Sequence, residues 1–175
     1  HQAFQFANKC SAKVTLLLVI KELAEFKEIY HLSGSSLNVL DKATHHLKKD
    51  LEKQARTLSD QYSNIRFSTK VRVGTPFIEI IKEADESDAS MIIINSYRQS
   101  KKDACERGSN TLNLMRKSEA PIWSLSRVPS SIRNVVVAVD LTNDEYQDFN
   151  AQLLSMAIDF CVNVGASLTL CHVWK

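Results

Sequence analysis

Glycine is scarce in this sequence: Gly34, Gly74, Gly108 and Gly165 are the only four in 175 residues. Backbone that approaches a phosphate closely usually needs glycine, because any Cβ stands in the way. A conventional glycine-rich phosphate loop is therefore excluded, and neither G-x-G-x-x-G nor G-x-x-x-x-G-K-[ST] occurs. No apolar run approaches the ~20 residues a membrane-spanning helix requires. The first residues carry no basic–apolar–small cleavage pattern. An excess of one charge is missing too. With 22 basic and 20 acidic residues, the net charge of +2 leaves no electrostatic footprint for nucleic acid. Cys10, Cys105, Cys161 and Cys171 are widely spaced and form no C-x-x-C pair, so they are read as reduced residues rather than a metal or redox site. These absences together predict a cytoplasmic chain without nucleic-acid partners.

Short β-branched runs alternate with amphipathic stretches, the rhythm of a parallel α/β sheet. Residues 1–12 read as the end of a helix, and Val14 to Ile20 as a fully buried strand. After a polar stretch over 21–36, apolar residues recur at three- and four-residue steps from Leu37 to Tyr62, which predicts a long helix. Ile65 to Val73 alternates and reads as a strand ended by Gly74. Thr75 and Pro76 then supply an N-cap and a first-turn proline for a helix over 77–84. A strand over 90–95, a short helix over 109–118 and a strand over 120–126 follow. Pro129, Ser130 and Ser131 mark a linker. Beyond it come a strand over 134–140, a helix over 146–164 capped by Gly165, and a strand over 167–173.

The two ends of the chain repeat each other. FANKCSAKVTLLLVI, beginning at Phe6, and FCVNVGASLTLCHVW, beginning at Phe160, are each a helix tail, a small-residue turn and a core strand. Phe6 matches Phe160 and Ala12 matches Ala166, as two copies of one α/β unit would. Together with NVVVAVD, VRVGTPFIEIIKEA, DASMIIINS and RKSEAPIWSL, these segments resemble the universal stress protein family over nearly the whole chain. The ending Pro121-Ile122-Trp123 is similar to its tandem, E-type members. The resemblance implies an open, parallel, doubly wound sheet of the Rossmann-like, adenine-nucleotide alpha-hydrolase kind. It divides the chain into a first domain over 1–126 without its opening strand, a linker over 127–133, and the first strand, helix and strand of a second domain over 134–175.

The family's nucleotide motif is G-x-x-G, nine residues, then G-[ST]; backbone N–H groups and a helix N-terminus surround the phosphates there. Here the frame is kept and the chemistry is not. Asn95 and Arg98 stand where the two glycines belong, while Gly108 and Ser109 follow in register, and Thr111 matches a small hydroxyl position. Asn95 tolerates positive φ, but Arg98 carries a side chain where phosphate would approach. Asp140 matches the aspartate that reads adenine in the family, though it belongs to the second copy. ATP is the family's best-known ligand. The lost glycines favour a reading without cofactor, in which the chain is a stress-response module sensing a small or apolar ligand or binding a partner. The alternative is an ATP switch whose pocket combines Asp140 with Gly108 and Ser109. Incomplete sheets expose edges that invite pairing, so a homo-oligomer or strand-exchanged dimer is expected.

Other constellations carry less. His45 and His46 are adjacent, about 100° apart on a helix, and so are poor co-ligands for a metal. Asp85 with Glu86 and Asp144 with Glu145 fall in surface turns. No G-x-S-x-G elbow supports a nucleophile, and no catalytic residue is identified.

Overall fold

The computed structural model of the chain describes residues 2–21, 34–95, 110–125, 132–142 and 144–172. Its elements are α1 (Gln2–Lys9), β1 (Lys13–Ile20), α2 (Gly34–Gln61), β2 (Arg66–Val73), α3 (Pro76–Glu86), β3 (Ile92–Asn95), α4 (110–117) and β4 (Ile122–Leu125). β5 (Asn134–Ala138), a 3₁₀ turn at Asp144–Tyr146, α5 (Gln147–Val164) and β6 (Ser167–Cys171) complete it. The described strands form three parallel ladders, β1–β2, β3–β4 and β5–β6. Each pair has a helix in its connection, as parallel neighbours require. Two compact units result: Ser11–Val128, and His1–Cys10 together with Pro129–Lys175.

In the unit Ser11–Val128, β1 and β2 pair over their full length, Lys13 opposite Arg66 through Ile20 opposite Val73. The Thr15 and Ser68 hydroxyls hydrogen-bond across the ladder at 2.9 Å. The alternation in β2 leaves Phe67 and Thr69 half-buried between exposed neighbours, as its period of two dictates, and it breaks after Val71, where Arg72 is half-buried as well. Gly74 closes the ladder, its N–H donating to the Ile20 carbonyl. Among the described residues of this unit the buried apolar ones are Ala55, Ile65, Ala84, Ile92 and Leu114. In doubly wound sheets ordered 3-2-1-4-5-6, the first strand lies between the second and the fourth. β1 and β3 occupy the second and fourth places in the family resemblance. The break between their ladders therefore falls where that resemblance puts an opening strand.

Pro76 occupies the first turn of α3, where its missing N–H costs nothing. Thr75 sits at the N-cap in extended backbone, but its side chain makes no capping bond, contrary to the expectation from sequence. Charge also ties α3 to β2. Glu79, Glu83 and Glu86 form one stripe of the helix, and Arg72 of β2 meets all three. Its Nε donates to Glu83 Oε2 at 2.6 Å, its Nη1 lies 3.5 Å from Glu79, and its Nη2 bonds Glu86. The Arg72, Glu79 and Glu83 side chains are largely buried. Hydrogen bonds to Glu86 and Glu83 raise the Arg72 pKa above its ordinary value. Lys82 is the first cause that holds the Glu79 carboxyl below the usual range, and Arg72 adds to it.

Replacing Arg72 by Met leaves these carboxylates facing one another in partial burial. The expected result at pH 7 is a fall in Tm of several degrees, clearly larger than that of Lys82→Met. The deficit shrinks toward pH 4, because a carboxylate that has lost its cation gains a proton more readily. Thermal melts at the two pH values measure this, and a deficit that grows on acidification would sink the charge account.

In the second unit α5 covers the β5–β6 ladder, with Asn150 and Cys161 buried on the helix and Val137 and Val139 on the strand side. Gly165 ends α5 at φ 72°, the left-handed cap expected from sequence, and its N–H returns to the Cys161 carbonyl. The N-terminal helix α1 belongs to this unit through Ala3 and Ala7, which are buried, and through Phe6, whose ring lies 5.2 Å from that of Phe160.

Candidate functional site

In open α/β sheets ligands collect at the carboxyl ends of the strands, and of the residues singled out from sequence Asn95 and Asp140 lie at or just beyond such ends. Asn95 is the last residue of β3, in register with Leu125. Thr111 is half-buried in α4. Arg98, Gly108 and Ser109 lie outside the described residues. Asp140 follows β5 in the other unit.

The surroundings of Asp140 are built by its own turn. Its Oδ1 accepts a hydrogen bond from the Thr142 hydroxyl at 2.6 Å and another from the Thr142 N–H at 2.9 Å. This is an aspartate bonding the backbone two residues on, the arrangement short acidic side chains favour in turns. The Thr142 hydroxyl, then the Thr142 N–H, and more weakly His172 hold the Asp140 carboxyl below the usual carboxylate range, against a smaller opposing effect of desolvation. Asp140 is therefore ionised throughout the neutral range. Behind it, Asn150 Nδ2 donates to the Asp140 carbonyl at 2.6 Å, so a buried amide in the first turn of α5 ties that helix to the end of β5. His172 stands beside the same turn, with Nδ1 at 3.1 Å from the Val139 carbonyl and 3.4 Å from the Leu141 N–H.

Thr142, Asn150 and His172 thus form the site around Asp140, and the reading of the sequence assigned a site role to none of them. The D-x-T spacing at Asp140–Thr142 was its available signal. Asn150 had another, as an amide among the apolar residues of α5. His46 Nε2 lies 3.5 Å from Asp50 on α2, an exposed contact one helical turn apart. Among the described residues no group of three or more His, Cys, Asp or Glu side chains is arranged to hold a metal ion. No described helix is long and apolar enough to cross a membrane.

The description of the universal stress protein family matches residues 1–125. The chain belongs to the universal stress protein family. Two solved structures share the fold. The hypothetical protein PH0823 superposes with a TM-score of 0.52 at 24% identity, over 70% of this chain and 84% of that one. The hypothetical protein MJ0577 gives a TM-score of 0.52 at 22% identity, over 74% of this chain and 89% of the other. No curated protein matches the sequence. The fold of this universal stress protein is accordingly α/β, Rossmann-like, of the adenine-nucleotide alpha-hydrolase kind, as the family resemblance had implied.

Proposed function

We propose that this universal stress protein is a cytoplasmic stress-response module of tandem, E-type organisation, which senses a small apolar ligand or binds a protein partner and requires no nucleotide. The observation that carries the reading is the state of Asp140. Its Oδ1 is engaged by both donors of Thr142. An aspartate that serves its own turn in this way keeps less acceptor capacity for a nucleobase. The replacement of two motif glycines by Asn95 and Arg98 points the same way, since a side chain stands where phosphate would approach. The tandem part of the proposal is supported by the repeat that matches Phe6 with Phe160.

Titration calorimetry of ATP with Mg²⁺ into the chain, beside Asp140→Ala, tests the reading. The expected result is no saturable heat at millimolar ATP in either protein. Saturable binding abolished by Asp140→Ala would overturn the proposal and install the nucleotide switch that combines Asp140 with Gly108 and Ser109. Binding unaffected by the substitution would also overturn it, and would place the ligand away from Asp140.

A further inference from the structure

The outer side of α2 carries its charges in single file. Lys42, His46, Lys49, Lys53 and Arg56 succeed one another at steps of four, three, four and three residues, and all five are exposed. At about 100° per residue they fall within an arc of about 80°. Leu51, Ala55 and Leu58 lie on the opposite side, buried or half-buried, where α2 packs on β2 and β1. The packing of α2 on its own sheet thus turns the row outward, as four cations and a histidine spread over about 21 Å. No acidic residue falls within the arc between Lys42 and Arg56, and Asp50 and Glu52 stand about 80° to either side.

A helix face that serves only its own helix sets acid against base at three- or four-residue spacing. Each such pair stabilises the helix by a few tenths of a kcal/mol, and like charges there destabilise it by a similar amount. This row does the reverse. Lys49 and Lys53 stand one turn apart, and Arg56 follows Lys53 three residues on. Among the described residues only His46 of the row meets a carboxylate, Asp50 at 3.5 Å. The row repels itself, and anions laid along it would relieve that repulsion.

The geometry of the row selects among anions. Its members are spaced about 5 Å apart along the axis, which is the spacing of carboxylates at three- and four-residue steps on another helix. An extended strand repeats one face only every ~6.8 Å and drifts out of step along the row. A bilayer surface or a nucleic-acid duplex covers more than one narrow arc and would meet Asp50 and Glu52. The row also lacks the apolar residues with which a helix enters lipid.

We propose that Lys42, His46, Lys49, Lys53 and Arg56 form a docking surface for an acidic helix of a partner protein, one with its carboxylates in single file at the same steps. Charge complementarity of this kind sets the register and speed of an encounter more than its tightness, so the contact is a transient one. The proposal rests on the partner-binding part of the reading above. Its failure is distinguishable from failure of that reading as a whole, because ATP plays no part in the test.

Titration of the intact, isotope-labelled chain with a synthetic peptide, followed by amide chemical shifts, decides the matter. The peptide is an alanine–glutamine helix of about 20 residues with glutamates at steps of four, three, four and three. A second peptide of the same composition spreads its glutamates round the helix. The expected result is saturable shifts confined to α2 amides, with an affinity that falls as salt screens the pairs. Lys49→Glu combined with Lys53→Glu weakens binding by about 30-fold, since each reversal turns an attraction into a repulsion. Lys48→Glu is the control. Lys48 is exposed on the same helix about 120° from the centre of the row, and its reversal changes the affinity by less than about threefold. No saturable shift at millimolar peptide overturns the proposal. So does equal binding of the two peptides, or a loss in Lys48→Glu as large as that of the double variant. Tighter binding of phosphatidylglycerol vesicles or of a DNA duplex than of the peptide would overturn it too, and assign the row to a membrane or to nucleic acid.

Discussion

Replacing Leu114 by Ala is expected to lower the stability of the unit Ser11–Val128 by about 3 kcal/mol. Leu114 is 1% exposed and is the one fully buried large side chain among the described residues; the other buried apolar residues of that unit are Ala55, Ile65, Ala84 and Ile92. Truncation removes the transfer energy of the lost carbons and leaves a cavity whose walls relax only in part. The same 3 kcal/mol is a large share of the roughly 5–15 kcal/mol that holds a domain folded. In urea the midpoint should fall by about 1–2 M with the slope unchanged. Leu112→Ala is the internal control. It lies two residues away on the same helix but is 53% exposed, so its substitution should stay within about 0.5 kcal/mol. A Leu114→Ala loss no larger than that of Leu112→Ala would mean that α4 contributes helix propensity and little packing.

Much of the fold was legible because two periodicities do most of the specifying. The position of β1, the alternation of β2 and the left-handed cap at Gly165 follow from side-chain spacing and from what glycine permits, but β1 is not the fully buried strand its apolar run predicted: Thr15 is exposed and Val14 and Leu16 to Ile20 are half-buried. The organisation of α1 was not legible. Sequence similarity between Phe6 and Phe160 says that the residues are equivalent, and it says nothing about adjacency. Their contact depends on a helix crossing to a unit whose remaining residues begin at Pro129. The candidate site divides in the same way. The position of Asp140 after β5 could be read from NVVVAVD, because a strand end is a local feature. Its engagement by Thr142 is equally local and was readable from D-x-T, but a ligand role had claimed the residue first. The Asn150 bond was harder to foresee, since a buried amide is defined by the backbone carbonyl it meets, and that partner sits ten residues away.

The glycine at position 74 is expected to be nearly irreplaceable, and the reason separates into two parts that one set of variants resolves. Its φ is +154°, a conformation that residues with a side chain rarely adopt. Holding alanine there costs about 1–3 kcal/mol in backbone strain alone. The second part is steric. A Cβ at this position would stand 2.9 Å from Glu79 Cγ and 3.1 Å from Glu79 Oε1. A free glutamate would swing aside, but Glu79 is held by Lys82 Nζ at 2.9 Å and faces Arg72 at 3.5 Å. Making room therefore disturbs the charge cluster that seats α3 on β2. Gly74→Ala should consequently destabilise the wild-type background more than a Glu79→Ala background, where only the strain is left. The difference between the two is the coupling energy of a double-mutant cycle. Urea unfolding of the four proteins measures it. Equal losses in the two backgrounds would confine the role of Gly74 to its φ and remove Glu79 from the account. A loss below about 1 kcal/mol in both would mean that the chain relaxes away from the positive φ when a Cβ is present.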